Sequence, residues 1–347
     1  MRSIHLALLL AASASGLSPT LLEAQLRASS SARTAFSDAI TSTDPKPLML
    51  ACCLAAEEKP AQDATGSIFL STSLQVSALA EAAKQRIQLA SMLGGESDDA
   101  ATAVAVSTTL FGSSGPGSQD DADTAGFFSG NAADYYDPQN SFIDCVIERR
   151  TGIPITLSLM YMAVCEELGL PMVGLNAPAH LLLAPADTSL PFVVDPFEGG
   201  RVYSADEASI VIARNAGSVS INPRADSDKA GAQLLQRLRA QPMDSHQWCA
   251  RMLRNLRAIY SASREPVGII GSADRLLAIG KAKPTATTPD EQLACKVQVA
   301  SAIVALRWEA RRDEARELLE GVLEEKALVP DVRTGLEKLL AEEFFVA

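Results

Sequence analysis

The side chains best suited to chemistry in this sequence are a histidine and an aspartate at the ends of two apolar runs. His180 begins one run and Asp195 ends the next. An imidazole changes its protonation near neutral pH and can act as a general base. Each residue also has a structural interpretation. His180 fits a buried, hydrogen-bonded residue or part of a binding site, and Asp195, followed by Pro196, fits a strand end formed by an Asx turn.

A nucleophile for such a base would have to come from a thiol or a hydroxyl group within about 3–4 Å of the imidazole. The chain has six cysteines, with no C-x-x-C spacing among them. This distribution predicts reduced, buried thiols, without a disulfide framework or a zinc site. We expect Cys145 and Cys165 to be packing residues, and no metal or other cofactor to be needed. The cysteines are Cys52, Cys53, Cys145, Cys165, Cys249 and Cys295.

Composition and charge exclude several classes of partner. The 347 residues carry a formal net charge of −12, which disfavours nucleic acid, because such a partner would require a basic face. The same charge disfavours an anionic membrane surface. Hydrophobic residues make up 47% of the chain, enough for a substantial core. We therefore expect a protein partner, with neither nucleic acid nor membrane binding.

The first 45 residues have the composition of a targeting leader. The sequence opens MRSIHLALLLAASASG, a short apolar run after one arginine, which is typical of a signal peptide. The stretch that follows is rich in serine and poor in acids, as transit peptides are. The combination predicts import into a plastid, with a plain secretory signal as the alternative. Residues 1–45 are accordingly excluded from the predicted fold.

The segment between the leader and residue 130 contains one predicted helix and a turn-rich region. Apolar residues from Leu70 to Leu93 recur at helical spacing and end at Gly94-Gly95. Residues 94–130 contain many acids, serines and glycines and predict a flexible acidic loop, exposed around 113–123. Within that loop, residues 101–111 fit either a helix or a strand.

The central stretch predicts an α+β domain. Asn140 or Ser141 can cap a helix that reaches about Arg150. Gly152 ends this helix, and Pro154 suits the first position of an apolar core helix over 155–168. Strands are predicted over 172–175, 180–184, 191–195 and 201–203. A helix followed by antiparallel strands is typical of the α+β class.

From Asp244 onward the pattern is helical only. Asp244 and Gln247 have capping-box spacing ahead of an apolar stripe that contains Trp248. Further helices are predicted over 267–279, 291–308, 315–323 and 330–345. Short connections between them predict antiparallel neighbours that resemble tetratricopeptide hairpins, although no clean 34-residue repeat is present.

Four segments occur together in an order that resembles the SirB-type family of the transglutaminase-like superfamily. They are GNAADYYDPQNSFIDCVIERRTGIPITLSLMY, LGLP, APAHLLL and VVDPFEGGRVYS. The resemblance covers residues 70–212 and implies a papain-like domain over about 66–220. It also implies an all-α, tetratricopeptide-like domain over about 240–347, which is typical of the family.

The resemblance further implies a cysteine at the start of the core helix, facing a histidine on one strand and an aspartate on the next. By motif, His180 and Asp195 occupy the last two positions. Pro154 occupies the position of the cysteine and has no nucleophilic atom. Thr156 lies about 200° around the helix from that position, and Ser158 lies about 40° around but roughly 6 Å deeper. Neither hydroxyl would therefore occupy the place of the cysteine thiol.

Three functions are compatible with this pattern. The favoured hypothesis is a non-catalytic, transglutaminase-like pseudoenzyme that acts as a protein-interaction or regulatory module. The alternatives are a thiol hydrolase or transamidase that uses His180 and Asp195 with a displaced nucleophile, and a structural scaffold. The candidate binding residues are Asn140, Arg149, Arg150 and Tyr136, of which the first three also fit caps and ion pairs.

Overall fold

A computed structural model describes residues 32–57, 64–95, 98–112, 127–215, 226–325 and 328–344. They form two compact units. One, here called the core unit, takes the described residues within 47–55 and 65–248; the other, the C-terminal unit, takes those within 32–46, 56–64 and 249–344.

Thirteen α-helices occur in the described part of the chain. They are residues 32–41 (α1), Pro47–Glu57 (α2), Ala64–Met92 (α3), Asp99–Phe111 (α4), Ile143–Arg149 (α5), Pro154–Glu167 (α6), Ala205–Asn215 (α7), Asp226–Ala240 (α8), Ser245–Ser263 (α9), Pro266–Ala282 (α10), Pro289–Ala305 (α11), Arg312–Leu323 (α12) and Pro330–Phe344 (α13).

The strands form one antiparallel sheet and one short parallel pair. The strands are Ser129–Gly130 (β1), Thr151–Gly152 (β2), Met172–Ala177 (β3), His180–Pro185 (β4), Phe192–Asp195 (β5) and Arg201–Ser204 (β6). Strands β3 to β6 are neighbours in sequence order, and β1 pairs with β2 in parallel. The predicted α+β arrangement of the core unit is therefore present, and each predicted strand lies within two residues of its observed ends.

Both faces of the four-stranded sheet are covered. Leu182 and Ala184 of β4 pack in one cluster with Ile212 of α7 and Leu235 of α8. Because successive side chains of a strand point to opposite faces, Leu181 and Leu183 face the other side, and they are also fully buried. Helix α6 packs against β3 and β4. Burial on two faces explains the uninterrupted apolar run after His180.

The core helix α6 begins and ends where its sequence predicts. Pro154 stands in its first turn, and the hydroxyl of Thr156 accepts a hydrogen bond from the backbone N–H of Ile153 at 3.2 Å. Gly169 follows the helix with φ +80°, a conformation that glycine adopts without steric cost. Every residue from Ile155 to Tyr161 is buried.

One prediction for the segment before the sheet needs correction. Residues 99–111, inside the predicted flexible loop, form α4, capped by Asp98, whose carboxylate accepts from Ala101 N at 2.7 Å. Val106 and Leu110 of this helix are buried. The expected exposed loop at 113–123 lies outside the described residues.

The exclusion of the whole segment 1–45 from the fold is wrong for its last part. Residues 32–41 are helical, and the side chains of Ala32, Phe36 and Ile40 are at most 2% exposed. Within the C-terminal unit, the guanidinium of Arg275 lies 5.3 Å from the ring centroid of Phe36. These buried apolar contacts explain why this stretch is part of the fold. Residues 1–31, with the signal-like run, lie outside the described residues.

The helices after residue 244 follow the sequence prediction closely. The capping box is reciprocal: Asp244 N donates to Gln247 Oε1 at 3.0 Å, and Gln247 N donates to Asp244 Oδ1 at 2.8 Å. In the C-terminal unit, α10 packs against α11, α11 against α12, and α12 against α13. In the described part of the chain, no helix has both the length and the apolar character needed to cross a bilayer.

Gly174 provides a test of packing in the core unit. A Cβ atom at this position would lie 2.3 Å from Cζ3 of Trp248, and the Trp248 side chain is 1% exposed. Gly174→Ala should therefore lower the free energy of unfolding by about 2 kcal/mol through overpacking, as measured by urea unfolding followed by circular dichroism. Gly321→Ala, in helix α12 with nothing within 4 Å of the new methyl, is the control and should stabilise by about 0.5 kcal/mol. Equal effects of the two substitutions would contradict this account of the packing.

Candidate functional site

The site is built around a contact between the two residues that the sequence singled out. Nε2 of His180 lies 2.5 Å from Oδ2 of Asp195. The Asp195 side chain is fully buried, whereas that of His180 is 16% exposed. An ionised carboxylate only accepts hydrogen bonds, so Nε2–H is the donor. The aspartate therefore orients the imidazole of His180, as the resemblance implies.

The second carboxylate oxygen of Asp195 organises the turn that follows β5. Oδ1 accepts from the backbone N–H of Phe197 at 3.1 Å and from that of Glu198 at 3.2 Å. The structural interpretation of Asp195, a strand end with an Asx turn, is thus correct, and its functional interpretation remains a prediction. Tyr203 lies nearby, and its pKa is raised by burial and then by the charge of Asp195.

A series of contacts connects this turn with the start of the core helix. A Cβ atom on Gly130 would lie 2.6 Å from Cε2 of Phe197, so the ring packs directly on the backbone of β1. Strand β1 pairs with β2 through Gly130 and Gly152. Strand β2 ends two residues before Pro154, where α6 begins. The turn at Asp195 and the first residue of α6 therefore belong to one packed region.

Asn140 holds the loop before β2 in place and is not a helix cap. Its side chain is fully buried, and its Nδ2 donates to the carbonyl oxygen of Asp134 at 2.8 Å. Its Oδ1 accepts from Asn131 Nδ2 at 3.1 Å, and its carbonyl oxygen accepts from Thr156 Oγ1 at 2.8 Å. The predicted cap by Asn140 or Ser141 is wrong: Asp137 caps the preceding 3-10 turn Pro138–Ser141, and α5 has no side-chain cap.

The remaining candidate binding residues lie around this loop. Arg149 Nη1 forms an ion pair with Asp137 Oδ2 at 2.7 Å. Arg150 adopts the left-handed conformation with φ 53°, and its guanidinium lies 4.7 Å from the ring centroid of Phe128. Tyr136 is 73% exposed and makes an edge contact with Tyr135. Of the four, Tyr136 offers the most accessible surface, whereas Asn140 offers none.

Among residues 152–161, only Pro154 is accessible to solvent. The hydroxyl of Thr156 is already hydrogen-bonded at the start of the helix, where it donates to the carbonyl oxygens of Asn140 and Ile153. Ser158 is fully buried. The accessible position at the start of the helix is thus the one whose side chain has no nucleophilic atom.

The cysteines have the environments of packing residues. None of the six forms a disulfide bond, and all except Cys145 are buried. Burial raises the pKa of the Cys52 thiol to about 12 and that of Cys295 to about 11, and it raises the pKa of Cys165 further still. A thiol with a raised pKa is a poor nucleophile at neutral pH. Cys145, of intermediate exposure, is the most accessible of the six.

The sequence interpretation missed two parts of this site. Phe197 and Asn131 had no assigned role, although they connect the Asp195 turn and the Asn140 loop to β1 and β2. No local signal in VVDPFEGG points to the contact of Phe197 with Gly130, because the two residues lie far apart in the sequence. No group of three or more histidines, cysteines or acids that could hold a metal occurs within the described ranges.

Comparison with known proteins gives a family match and several partial relatives. Residues 71–254 match the family model described as the transglutaminase-like superfamily. A UPF0162 protein of Xylella fastidiosa is 35% identical over 160 residues, which are 46% of this chain and 53% of that protein. A UPF0162 protein of Pseudomonas aeruginosa is 29% identical over 143 residues, 41% of this chain and 47% of that protein.

A shorter similarity extends to an animal protein. F-box only protein 21 of Mus musculus is 35% identical over 96 residues, which are 25% of this chain and 15% of that protein. The chain spans about half the length of the bacterial relatives named above. No solved structure matches.

Replacement of Asp195 tests how far the site depends on its carboxylate. Asp195→Ala leaves two backbone N–H groups and His180 without their acceptor and should lower the free energy of unfolding by about 3 kcal/mol. Asp195→Asn keeps an amide oxygen for the turn and should cost about half as much. Urea unfolding measures both.

The matched control is Asp187→Ala. Asp187 is an exposed residue, and its carboxylate likewise accepts from a backbone N–H, that of Ser189 at 2.9 Å. The control should change stability by less than about 1 kcal/mol. If Asp195→Ala were no more destabilising than the control, the carboxylate would not organise the site.

Proposed function

The chain belongs to the transglutaminase-like superfamily, and from that premise we propose that it is a non-catalytic member that acts as a protein-interaction or regulatory module. The observation that carries this proposal is the residue at the start of α6. The family resemblance puts a cysteine nucleophile there, and this chain has Pro154, which is accessible to solvent and chemically inert.

The surroundings of Pro154 support the proposal. Thr156 and Ser158 are the nearest hydroxyl-bearing residues along the helix, and both are fully buried. Cys165, on the same helix, is also buried. Catalysis by a nucleophile requires a low-pKa thiol or an activated hydroxyl within hydrogen-bond reach of the base. A binding module needs only an accessible surface, and Tyr136 on its hydrogen-bonded loop provides one.

A second candidate function is favoured by the intact pair of His180 and Asp195. In a thiol hydrolase or transamidase, an imidazole oriented by a buried carboxylate serves as the general base. In that case a displaced nucleophile would complete the site, and Cys145 is the most accessible of the thiols. A purely structural scaffold is the third function compatible with the chain.

Finer assignments follow from the sequence patterns. We propose that the chain is of the SirB type and that its C-terminal helices form a tetratricopeptide-like unit that binds a protein partner. The helix pairs α10–α11 and α12–α13 pack as consecutive neighbours, which supports the second point. Plastid localisation, with the secretory pathway as the alternative, is the proposal that the first residues support.

A substitution that introduces a cysteine tests whether position 154 lies where the nucleophile of the family would lie. In Pro154→Cys, the helix N-terminus and His180 should lower the pKa of the new thiol. We expect this thiol to react with iodoacetamide at pH 6 at least about tenfold faster than the same thiol in Pro154→Cys/His180→Ala. Mass spectrometry of the alkylated peptide measures both rates.

Thr151→Cys is the matched control. It is a half-exposed position in β2, and its thiol should titrate near the ordinary value of about 8.5, with or without His180. If the thiol introduced by Pro154→Cys behaved like the control, His180 would not face position 154, and the argument from the missing nucleophile would fail. If the unmodified chain cleaved an acyl substrate in a His180-dependent way, the second candidate would replace the first.

A further inference from the structure

The core unit contains a pocket away from the His180–Asp195 pair. It has a volume of about 480 Å³, within the range of small-molecule sites. Its walls come from the segment before β5 and from helices α7 and α8, and they are largely apolar. The apolar wall includes Pro191, Ala205, Ala232 and Leu235.

One cationic side chain lines this pocket. Nη1 of Arg239 donates to the carbonyl oxygen of Leu190 at 2.9 Å, and Nη2 donates to that of Phe192 at 2.6 Å. The guanidinium has five N–H donors, so these contacts use only part of its capacity. Its Nε is buried and has no hydrogen-bond partner in the part of the chain that the structure describes.

Among the described residues, the guanidinium of Arg239 contacts two carbonyl oxygens and forms no ion pair with a carboxylate. Burial alone lowers the pKa of its guanidinium, with no acidic group acting in the opposite direction. By contrast, Arg254 in the C-terminal unit forms an ion pair with Glu291 at 2.7 Å, and its pKa is raised. Partly buried charges are normally paired or bound to a ligand. Within the described ranges, the partly buried guanidinium of Arg239 therefore has no carboxylate partner.

We propose that this pocket binds a small carboxylic acid with an aliphatic body, the carboxylate lying on Arg239 and the chain lying along the apolar wall. A guanidinium matches a carboxylate geometrically as well as electrostatically. Asp206 also lines the pocket. It is exposed, so water screens its repulsion of a bound carboxylate.

This binding site is independent of the function proposed above. Phe192 and Asp195 are the two ends of β5, so the pocket lies at one end of the strand and the His180–Asp195 pair at the other. Over this length a strand rises about 10 Å. Ligand binding at Arg239 would thus leave the imidazole uncovered, and failure of either proposal leaves the other standing.

Binding of octanoate to the full chain tests the proposal, with 1-octanol as the neutral probe of the same length. Titration calorimetry should show that octanoate binds at least about tenfold more tightly than octanol, which corresponds to about 1.4 kcal/mol from the charge. Arg239→Met should weaken octanoate binding by a similar factor. Arg237→Met, an exposed position on the same helix, should leave the affinity within about twofold.

A second pair of variants keeps the test independent of Arg239's role in folding. Ala232→Trp fills the pocket from an exposed position of α8 and should abolish octanoate binding. Ala230→Trp lies on the same helix outside the pocket and should bind like the unmodified chain. The proposal is overturned if octanoate does not bind, if octanol binds as tightly, or if Ala232→Trp and Ala230→Trp bind equally well.

Discussion

The fully buried carboxylate of Asp195 is the interaction on which the core unit's site depends. Removing a carboxylate from water is costly unless its oxygens are hydrogen-bonded and its charge is paired. Here one oxygen contacts His180 and the other accepts from two backbone N–H groups of the following turn. These hydrogen bonds hold the imidazole of His180, the end of β5 and the following turn in fixed positions relative to one another. The same hydrogen bonds give His180 and Asp195 a structural role in the core unit besides any chemical one.

Much of the core unit could be predicted because its elements begin and end at residues with strong local preferences. Pro154 and Gly169 enclose the core helix, and the glycine adopts the positive φ that this position requires. The reciprocal contact of Asp244 and Gln247 is likewise local in sequence. Helix α2 gave no such signal. Its residues from Leu50 to Ala56 are all at most 2% exposed, and a helix buried on every side has no apolar stripe to detect.

The site was less predictable because its contacts join distant parts of the chain. The pairing of His180 with Asp195 came from family resemblance, and no local rule would have found it. Asn140 was expected to cap a helix, yet it is buried and connects the loop over residues 131–137 to α6. The Arg239 pocket depends on the packing of α8 beside the start of β5. The sequence pattern of neither element predicts this packing. Residue type predicted which groups can react, and tertiary packing decided which of them meet.

The central claim, that no thiol of this chain serves His180, is tested most directly by site-resolved alkylation of the six native cysteines between pH 5 and 9. We expect Cys145, the most accessible thiol, to react slowly below about pH 7, and His180→Ala to leave its rate unchanged. The buried thiols should react only when the chain unfolds, since burial raises the pKa of Cys52 and Cys165. Rapid alkylation of Cys145 below about pH 7 that disappears in His180→Ala would contradict the account and identify a working thiol–imidazole pair.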